Sequence, residues 1–450
     1  SWRSALRIKD SSRGIFMTTQ RGSLFLLVAL VSLVGLNPLS AAETQERHVP
    51  SMRKGAIDAP RLALQELIAE AQRANPKIQA ARARVDMAQA RIPQARALPD
   101  PMVSVGYTNE GFSRLTLGSL EDAALGVSVS QEIPYPPKLA LKGKVSAQER
   151  QREDERFRGI ELDIMARLKV AYYELFLVER ALDIVAKHKA LLEQMAQTAE
   201  ARYAVGRTVQ QDVLRAHTEI TILLQRLAQL EQQRGSLRAA LNSLLNRPPP
   251  SPLGRPEEPL KRPFTWTVEQ LMEVAVAGSP NLQAAGRLID RQRLQLDLAR
   301  QEYLPDFAVS VGYENRGRFE GMWQVMVGAT VPLYFRTKQN YGVREAVAGL
   351  AEAEHDRQAV QQALFFEIKD LVLMAQTSGQ LIELIGTGAL PQARLTLESA
   401  LASYAVGKVD FLSLLTNLLN VLNQELQYAQ ELSNFAKALA NLERVVGVAF

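Results

Sequence analysis

The chain has 450 residues, no cysteine and a formal net charge of +5. The lack of cysteine excludes disulfides, cysteine-based zinc sites and thiol catalysis. Arg3, Arg7, Lys9, Arg13 and Arg21 against Asp10 put +4 of that charge before residue 43, which leaves +1 for the rest and no compositional case for nucleic acid as a partner.

Met17 reads as a start, with residues 1–16 as an upstream extension. Arg21 precedes an apolar run at 24–36, and Ser40-Ala41-Ala42 supplies small residues before a cut at Glu43. This is the pattern of a signal peptide within 1–42, and the run is short for a membrane anchor. Residues 43–60 are polar and expected to be extended. No later apolar run approaches the length of a membrane helix, so the exported chain can enter a membrane only as β-strands.

A first structural repeat is expected over 61–247. Its opening helix, about 36 residues long, is rich in Ala, Arg, Gln and Leu and is interrupted at Pro76 and Pro93. Leu98-Pro99-Asp100-Pro101 ends it. A β-hairpin follows at 102–133: Val103, Val105 and Tyr107 oppose Ser104, Gly106 and Thr108, and Leu125, Val127 and Val129 oppose Gly126, Ser128 and Ser130. Such alternation suits a membrane barrel with lipid outside and water inside, or a half-buried hairpin in a soluble domain. A long helix is predicted over 138–204. From Ile164 its apolar residues step by four and three to Tyr203, and only Lys189 breaks the seam. At 1.5 Å per residue this helix is roughly 100 Å long, wider than any ordinary core, so it must lie against other long helices in water. Tyr203-Ala204-Val205-Gly206 turns the chain into a helix at 209–246 with its own seam, and a proline-rich linker occupies 248–266.

A second repeat is expected over 267–450. Ser279-Pro280-Asn281-Leu282 echoes Asn75-Pro76-Lys77-Ile78. Leu304-Pro305-Asp306 and Val309-Ser310-Val311-Gly312-Tyr313 echo Leu98-Pro99-Asp100 and Val103-Ser104-Val105-Gly106-Tyr107. Val331-Pro332 echoes Ile133-Pro134, and Tyr404-Ala405-Val406-Gly407 echoes Tyr203-Ala204-Val205-Gly206. The hairpin falls at 307–332, the long helix at 338–405 and the last helix at 409–446. Pro391, with Gly386 and Gly388 nearby, should kink the second long helix. The fold class is mainly α with a small β part, a duplicated unit in which each long helix packs beside two shorter ones stacked end to end.

Four membrane strands cannot close a barrel, and open edges are not tolerated in lipid, so the barrel must be shared among subunits. The expected object is an oligomeric pore in the outer membrane, continued by a helical tube in the periplasm. This duplicated pattern resembles the TolC family of outer-membrane efflux factors over residues 60–447, and the Tyr-x-x-Gly turns at Tyr203 and Tyr404 are similar to that family's helical tip. The resemblance implies a homotrimer with a shared twelve-stranded β-barrel and a periplasmic α-helical barrel. It also implies two partners, a periplasmic membrane-fusion adaptor and an inner-membrane RND-type pump. Gln131-Glu132-Ile133-Pro134-Tyr135-Pro136-Pro137-Lys138-Leu139, after Leu98-Pro99-Asp100-Pro101, looks closest to the heavy-metal-cation branch, although that pattern often has Gly where Pro137 stands.

The implied function is passive conduction of cargo, heavy-metal cations for that branch; multidrug efflux and type I secretion by the same fold are the alternatives. The tip residues singled out are Tyr203, Gly206, Arg207, Asp212, Tyr404, Gly407, Lys408 and Asp410. Asp212 and Asp410 either form an acidic ring that attracts cations or are solvated helix surface. Arg207 and Lys408 either pair with acidic neighbours or meet the adaptor. Pro391 is a hinge or a static bend. Tyr107, Tyr313 and Trp323 suit an interfacial girdle or ordinary strand packing, and Met322 and Met326 share the small, polar face of their strand. Phe450 has no assigned role. His48, His188, His217 and His355 are scattered without an obvious carboxylate partner, and His188 reads as packing or surface. No metal site, cofactor or catalytic constellation is expected. A periplasmic coiled-coil scaffold and an exported enzyme are the rival classes.

Overall fold

The structure, a computed structural model, describes residues 61–259 and 264–448. The expected signal segment, residues 43–60, linker residues 260–263 and Phe450 lie outside the described residues.

The first repeat opens with β1 (Arg61–Leu62), α1 (Leu64–Ala74) and α2 (Pro76–Arg96). The helix restarts at Pro76, where Asn75 is extended and its side chain accepts from the Lys77 amide at 2.9 Å. Pro93 does not interrupt it. Only the last turn of α2 lies beyond this proline, so little of the helical ladder is lost. Next come β2 (Met102–Thr108), β3 (Ala124–Ile133), the 69-residue α3 (Pro136–Ala204) and α4 (Gln210–Leu244). After β4 (Arg255–Pro256), the second repeat runs through α5 (Val268–Gly278), α6 (Pro280–Gln301), β5 (Asp306–Asn315), β6 (Met322–Thr330) and α7 (Gln339–Leu384). A π turn (Ile385–Ala389), α8 (Leu390–Ala405) and α9 (Phe411–Val446) complete it.

The second long helix is therefore not continuous. Its ladder widens to a π turn containing Gly386 and Gly388, and Pro391 sits at the start of α8. The wide turn makes room for the proline ring and absorbs its missing donor. The irregularity expected at Pro391 is thus carried by the five residues before α8.

α3 packs against α2 and α4 of its own repeat and against α6 and α9 of the other. Its tip half lies in a core shared between the repeats, with Val185, Leu192 and Leu223 against Leu397, Leu414 and Leu418. Further cores sit under each repeat, around Leu168, Leu175 and Leu241 in the first and around Ile368, Val372 and Leu442 in the second. The shorter helices meet end to end. Asn75 Nδ2 donates to the Leu244 carbonyl at 2.8 Å, joining α2 to α4, and Arg247 pairs with Glu70 beside that joint. In the second repeat Gly447, at φ 81°, lies so close to Gly278 that a side chain on either would meet backbone.

The hairpins form one antiparallel sheet in the order β2-β3-β5-β6. Its register keeps the alternation in phase across all four strands: Val105 faces Val127, Val127 faces Tyr313, and Tyr313 faces Trp323. One face is apolar from edge to edge. The other carries Ser104, Ser128, Gly312 and Gln324 in a row, with Ser104 and Ser128 hydroxyls 2.8 Å apart.

Candidate functional site

The chain offers a tip, a buried polar lattice along the helices, and a two-faced sheet. At the tip, Gly206 and Gly407 adopt φ of 68° and 75°, and the amides of Arg207 and Lys408 reach back to the carbonyls of Arg202 and Ser403 at 2.8 and 3.0 Å. These are Schellman closures, which require a residue in the left-handed region and so select glycine. The two turns differ in what they bury. Tyr404 is 6% exposed, edge-on to Phe411, whereas its repeat equivalent Tyr203 is 47% exposed. Arg202 also covers Tyr404. Its guanidinium lies 4.3 Å from the Tyr404 ring centroid and donates to the carbonyls of Tyr404 and Ala405 at 2.6 and 2.8 Å. A cation from the first repeat thereby caps the C-terminus of α8 in the second. Burial pushes the Tyr404 hydroxyl's pKa up, Arg202 acts against that, and Asp212 adds to it, so all three groups share one electrostatic neighbourhood.

Asp212 lies in the first turn of α4 and accepts from the Thr208 hydroxyl. Asp410 caps α9, accepting from the Ser413 amide at 3.0 Å, and this bonding holds its carboxyl below the usual carboxylate range. Arg207 and Lys408 are exposed and make no ion pair among the described residues, and Val205 and Val406 stand exposed beside them.

Two expectations about the helices need correction. Lys189 is not the residue at the seam. The 3–4 stepping from Val185 to Leu192 passes through His188, which is buried, while Lys189 turns out to pair with Glu193. His188 also has a carboxylate partner: its Nε2 lies 2.9 Å from Oε2 of Glu425, itself buried on α9. Arg394 of α8 donates to Glu425, and Lys187 stands 3.8 Å away. Hydrogen bonding from His188 and Arg394, with the charge of Lys187, outweighs burial and lowers the Glu425 pKa to about 2. His217 likewise faces Glu200 at 2.8 Å. Each partner lies on a different helix from its histidine, so sequence spacing concealed the pairing. The one visible signal was Glu425 itself, an acid within the apolar run of α9.

Two further joints were missed. Glu179, buried on α3, bonds Arg238 at 2.8 Å and lies 3.4 Å from Arg255, which ties the linker strand β4 to the long helix. Lys138, at the root of α3, is buried and reaches Asp306 at 2.9 Å and the Leu304 carbonyl at 3.0 Å. The Tyr135 amide adds a third bond to Asp306, at 2.8 Å. The Lys138 and Leu304-Pro305-Asp306 motifs are thus two halves of a clamp between the repeats.

Tyr107, Tyr313 and Trp323 lie on the apolar face near the loop end of the sheet, where Tyr313 and Trp323 are direct partners. At the helical end, Tyr334, Phe335 and Tyr341 are exposed, a second aromatic group that the sequence reading did not single out. Among the described residues no helix is long and apolar enough to cross a membrane, and no cluster of three or more His, Asp or Glu could hold a metal ion.

The sequence profile of the outer membrane efflux protein family matches residues 67–247 and 271–448, both repeats and nearly all of each. The chain belongs to this family. As an outer membrane efflux channel it is not an enzyme, and the scaffold reading falls with the enzyme reading. The chain is similar to the cobalt-zinc-cadmium resistance protein CzcC of Cupriavidus metallidurans, at 22% identity over 391 residues covering 86% of this chain and 90% of that protein. Solved structures share the fold. CusC superposes with a TM-score of 0.74 at 16% identity, covering 89% of this chain and 96% of that one. VceC of Vibrio cholerae does so with 0.73 at 20% identity, covering 86% and 96%. The CmeC channel of Campylobacter jejuni gives 0.71 at 13% identity, covering 92% and 94%. Efflux channels of this family work with a periplasmic adaptor and an inner-membrane pump.

Proposed function

We propose that this efflux channel is a homotrimer that passively conducts heavy-metal cations, delivered by an RND-type pump through a periplasmic adaptor. The observation that carries the pore is the sheet. Its apolar face runs across four strands, its other face is small and polar, and β2 and β6 end the sheet without further strand partners among the described residues. Three copies supply twelve strands, enough to close around a wet lumen with the apolar face in outer-membrane lipid. The exposed Val205–Arg207 and Val406–Lys408 turns suit an adaptor that buries apolar knobs and offers acidic groups. The cation reading rests on Asp212 and Asp410 at the tip, three of each per trimer, and the metal reading on the likeness to CzcC. The π turn before Pro391 gives α8 a bend point at which the tip can widen once the Arg202–Tyr404 contact parts.

Planar-bilayer recording of the purified channel tests the pore. Wild type is compared with an Asp212→Asn, Asp410→Asn double variant; asparagine removes charge and keeps the α9 cap. Cation-selective steps whose reversal potential in a salt gradient moves toward zero in the variant are expected. Unchanged selectivity would remove the filter from the tip. For the cargo, loss of the gene should sensitise the native cell to Co²⁺, Zn²⁺ or Cd²⁺. Sensitisation to hydrophobic drugs alone would overturn the metal assignment.

A further inference from the structure

The internal duplication specifies how one copy of the chain meets the next. This inference rests on the trimer reading and deepens it. The sequence echo relates β2 to β5 by a shift of 206 (Val103 to Val309) and the end of β3 to that of β6 by a shift of 198 (Ile133 to Val331). The hydrogen-bond registers of the two hairpins agree with the sum of these shifts. Ser104 opposes Ser128 in the first hairpin, and Ser310 opposes Met326 in the second. The joint between the repeats, β3 against β5, is therefore a template for the joint between copies, β6 against β2. In the template, Val129 faces Val311, Ser130 faces Ser310 and Gln131 faces Val309.

We propose that β6 of one copy pairs antiparallel with β2 of the next so that Gly328 opposes Ser104 of the partner subunit, and that Arg336 takes Asp100 of the partner subunit as Lys138 takes Asp306. Applying the shifts to the template places Val327 opposite Val105 of the partner subunit and Met326 opposite Gly106 of the partner subunit. Three features of the chain fit it. The parity is right: Val325, Val327 and Ala329 meet Tyr107, Val105 and Val103 of the partner subunit, apolar on apolar, so the lipid face continues across the seam. The space is right: every residue of β2 and β6 is exposed, and a side chain at Gly106 or Gly328 would meet nothing within 4 Å, so the Met326 side chain has somewhere to lie.

The charges are right as well. The shift of 198 carries Lys138 to Arg336, and the shift of 206 carries Asp306 back to Asp100. Asp100 and Arg336 are both exposed and make no ion pair among the described residues, whereas Lys138 and Asp306 are already bonded inside the chain. The Arg336 guanidinium lies 5.9 Å from the ring centroid of Phe335.

The chain has no cysteine, so paired cysteines report the seam directly. The Ser104→Cys, Gly328→Cys chain, oxidised with copper phenanthroline in outer-membrane vesicles, should give covalent dimers and trimers on denaturing gels. Two pairs slipped by two residues on the same face, Met102→Cys with Gly328→Cys and Gly106→Cys with Gly328→Cys, should give at least about fivefold less. A slipped pair that links better overturns the register. No links from any pair in a protein that still runs as a native trimer overturns the register and leaves the channel reading standing. A monomer on native gels overturns both. The clamp has its own test. Asp100→Arg should lower the temperature at which the trimer falls apart in detergent, and adding Arg336→Asp should restore it. Failure of the swap to restore it removes the Arg336 pairing while leaving the strand register to the cysteine result.

Discussion

Glu425→Gln removes the charge at the centre of the lattice that joins α3, α8 and α9 while keeping the side chain's shape. The carboxyl sits at about 2, against an ordinary value of 4.5. At 1.36 kcal/mol per unit, that depression corresponds to roughly 3 kcal/mol favouring the folded helices at neutral pH, within the range for breaking a buried, hydrogen-bonded charge pair. The sign follows from the direction of the shift. The folded carboxylate holds its charge longer than the unfolded one, so the contribution is complete above pH 4.5 and is lost as pH falls from there to about 2. The assay is guanidinium unfolding followed by helical circular dichroism, in detergent, at steps between pH 7 and 2.5. Wild type should lose stability across the acid window. The variant should be weaker at pH 7 and should lose less on acidification. A His188→Gln, Glu425→Gln double variant should cost less than the two single changes together, because the partners share one bond. A Glu425→Gln protein within about 0.5 kcal/mol of wild type at pH 7, or one with the same acid slope, would refute the assignment of the lattice as a stabilising joint.

Gly206→Ala and Gly407→Ala force a Cβ into the left-handed region and should each cost about 1–2 kcal/mol, read as faster amide exchange in the tip turns with barrel resistance unchanged. Lys138→Met leaves Asp306 with the Tyr135 amide as its hydrogen-bond donor among the described residues and should destabilise the sheet-to-helix junction by about 1–2 kcal/mol, measured as a lower unfolding midpoint; a wild-type midpoint would show that the clamp is idle. Arg202→Lys keeps the charge but gives up the planar stack and the paired carbonyl bonds, and should raise the open fraction in single-channel records; an unchanged open fraction would separate this contact from gating.

Much of this architecture was legible because it is written in periodicities. The four-and-three steps of Leu168, Ala171 and Leu175 mark a helix wherever they stand, and the two-residue alternation of Val103, Val105 and Tyr107 marks a strand with two unlike faces. Repeated motifs revealed the duplication. Glycine at the tip was readable because only a left-handed residue closes such a helix end. The errors fall where a residue's role depends on what stands opposite it. Seam spacing could not choose between His188 and Lys189, since one helix face spans both, and the choice was made by Glu425, far along the chain. Pro391 announced a distortion but not its form, a widened turn spread over Ile385–Ala389 where Tyr428 lies close against Gly386. The sequence by itself determined the kinds of element, their order and their doubling, since these follow from local sterics and the period of apolar residues. Only the tertiary structure decided the pairings: Lys138 with Asp306, Arg202 under the carbonyls of α8, His188 with Glu425. Buried charges find partners through space, and no period along the chain encodes which distant helix will supply them.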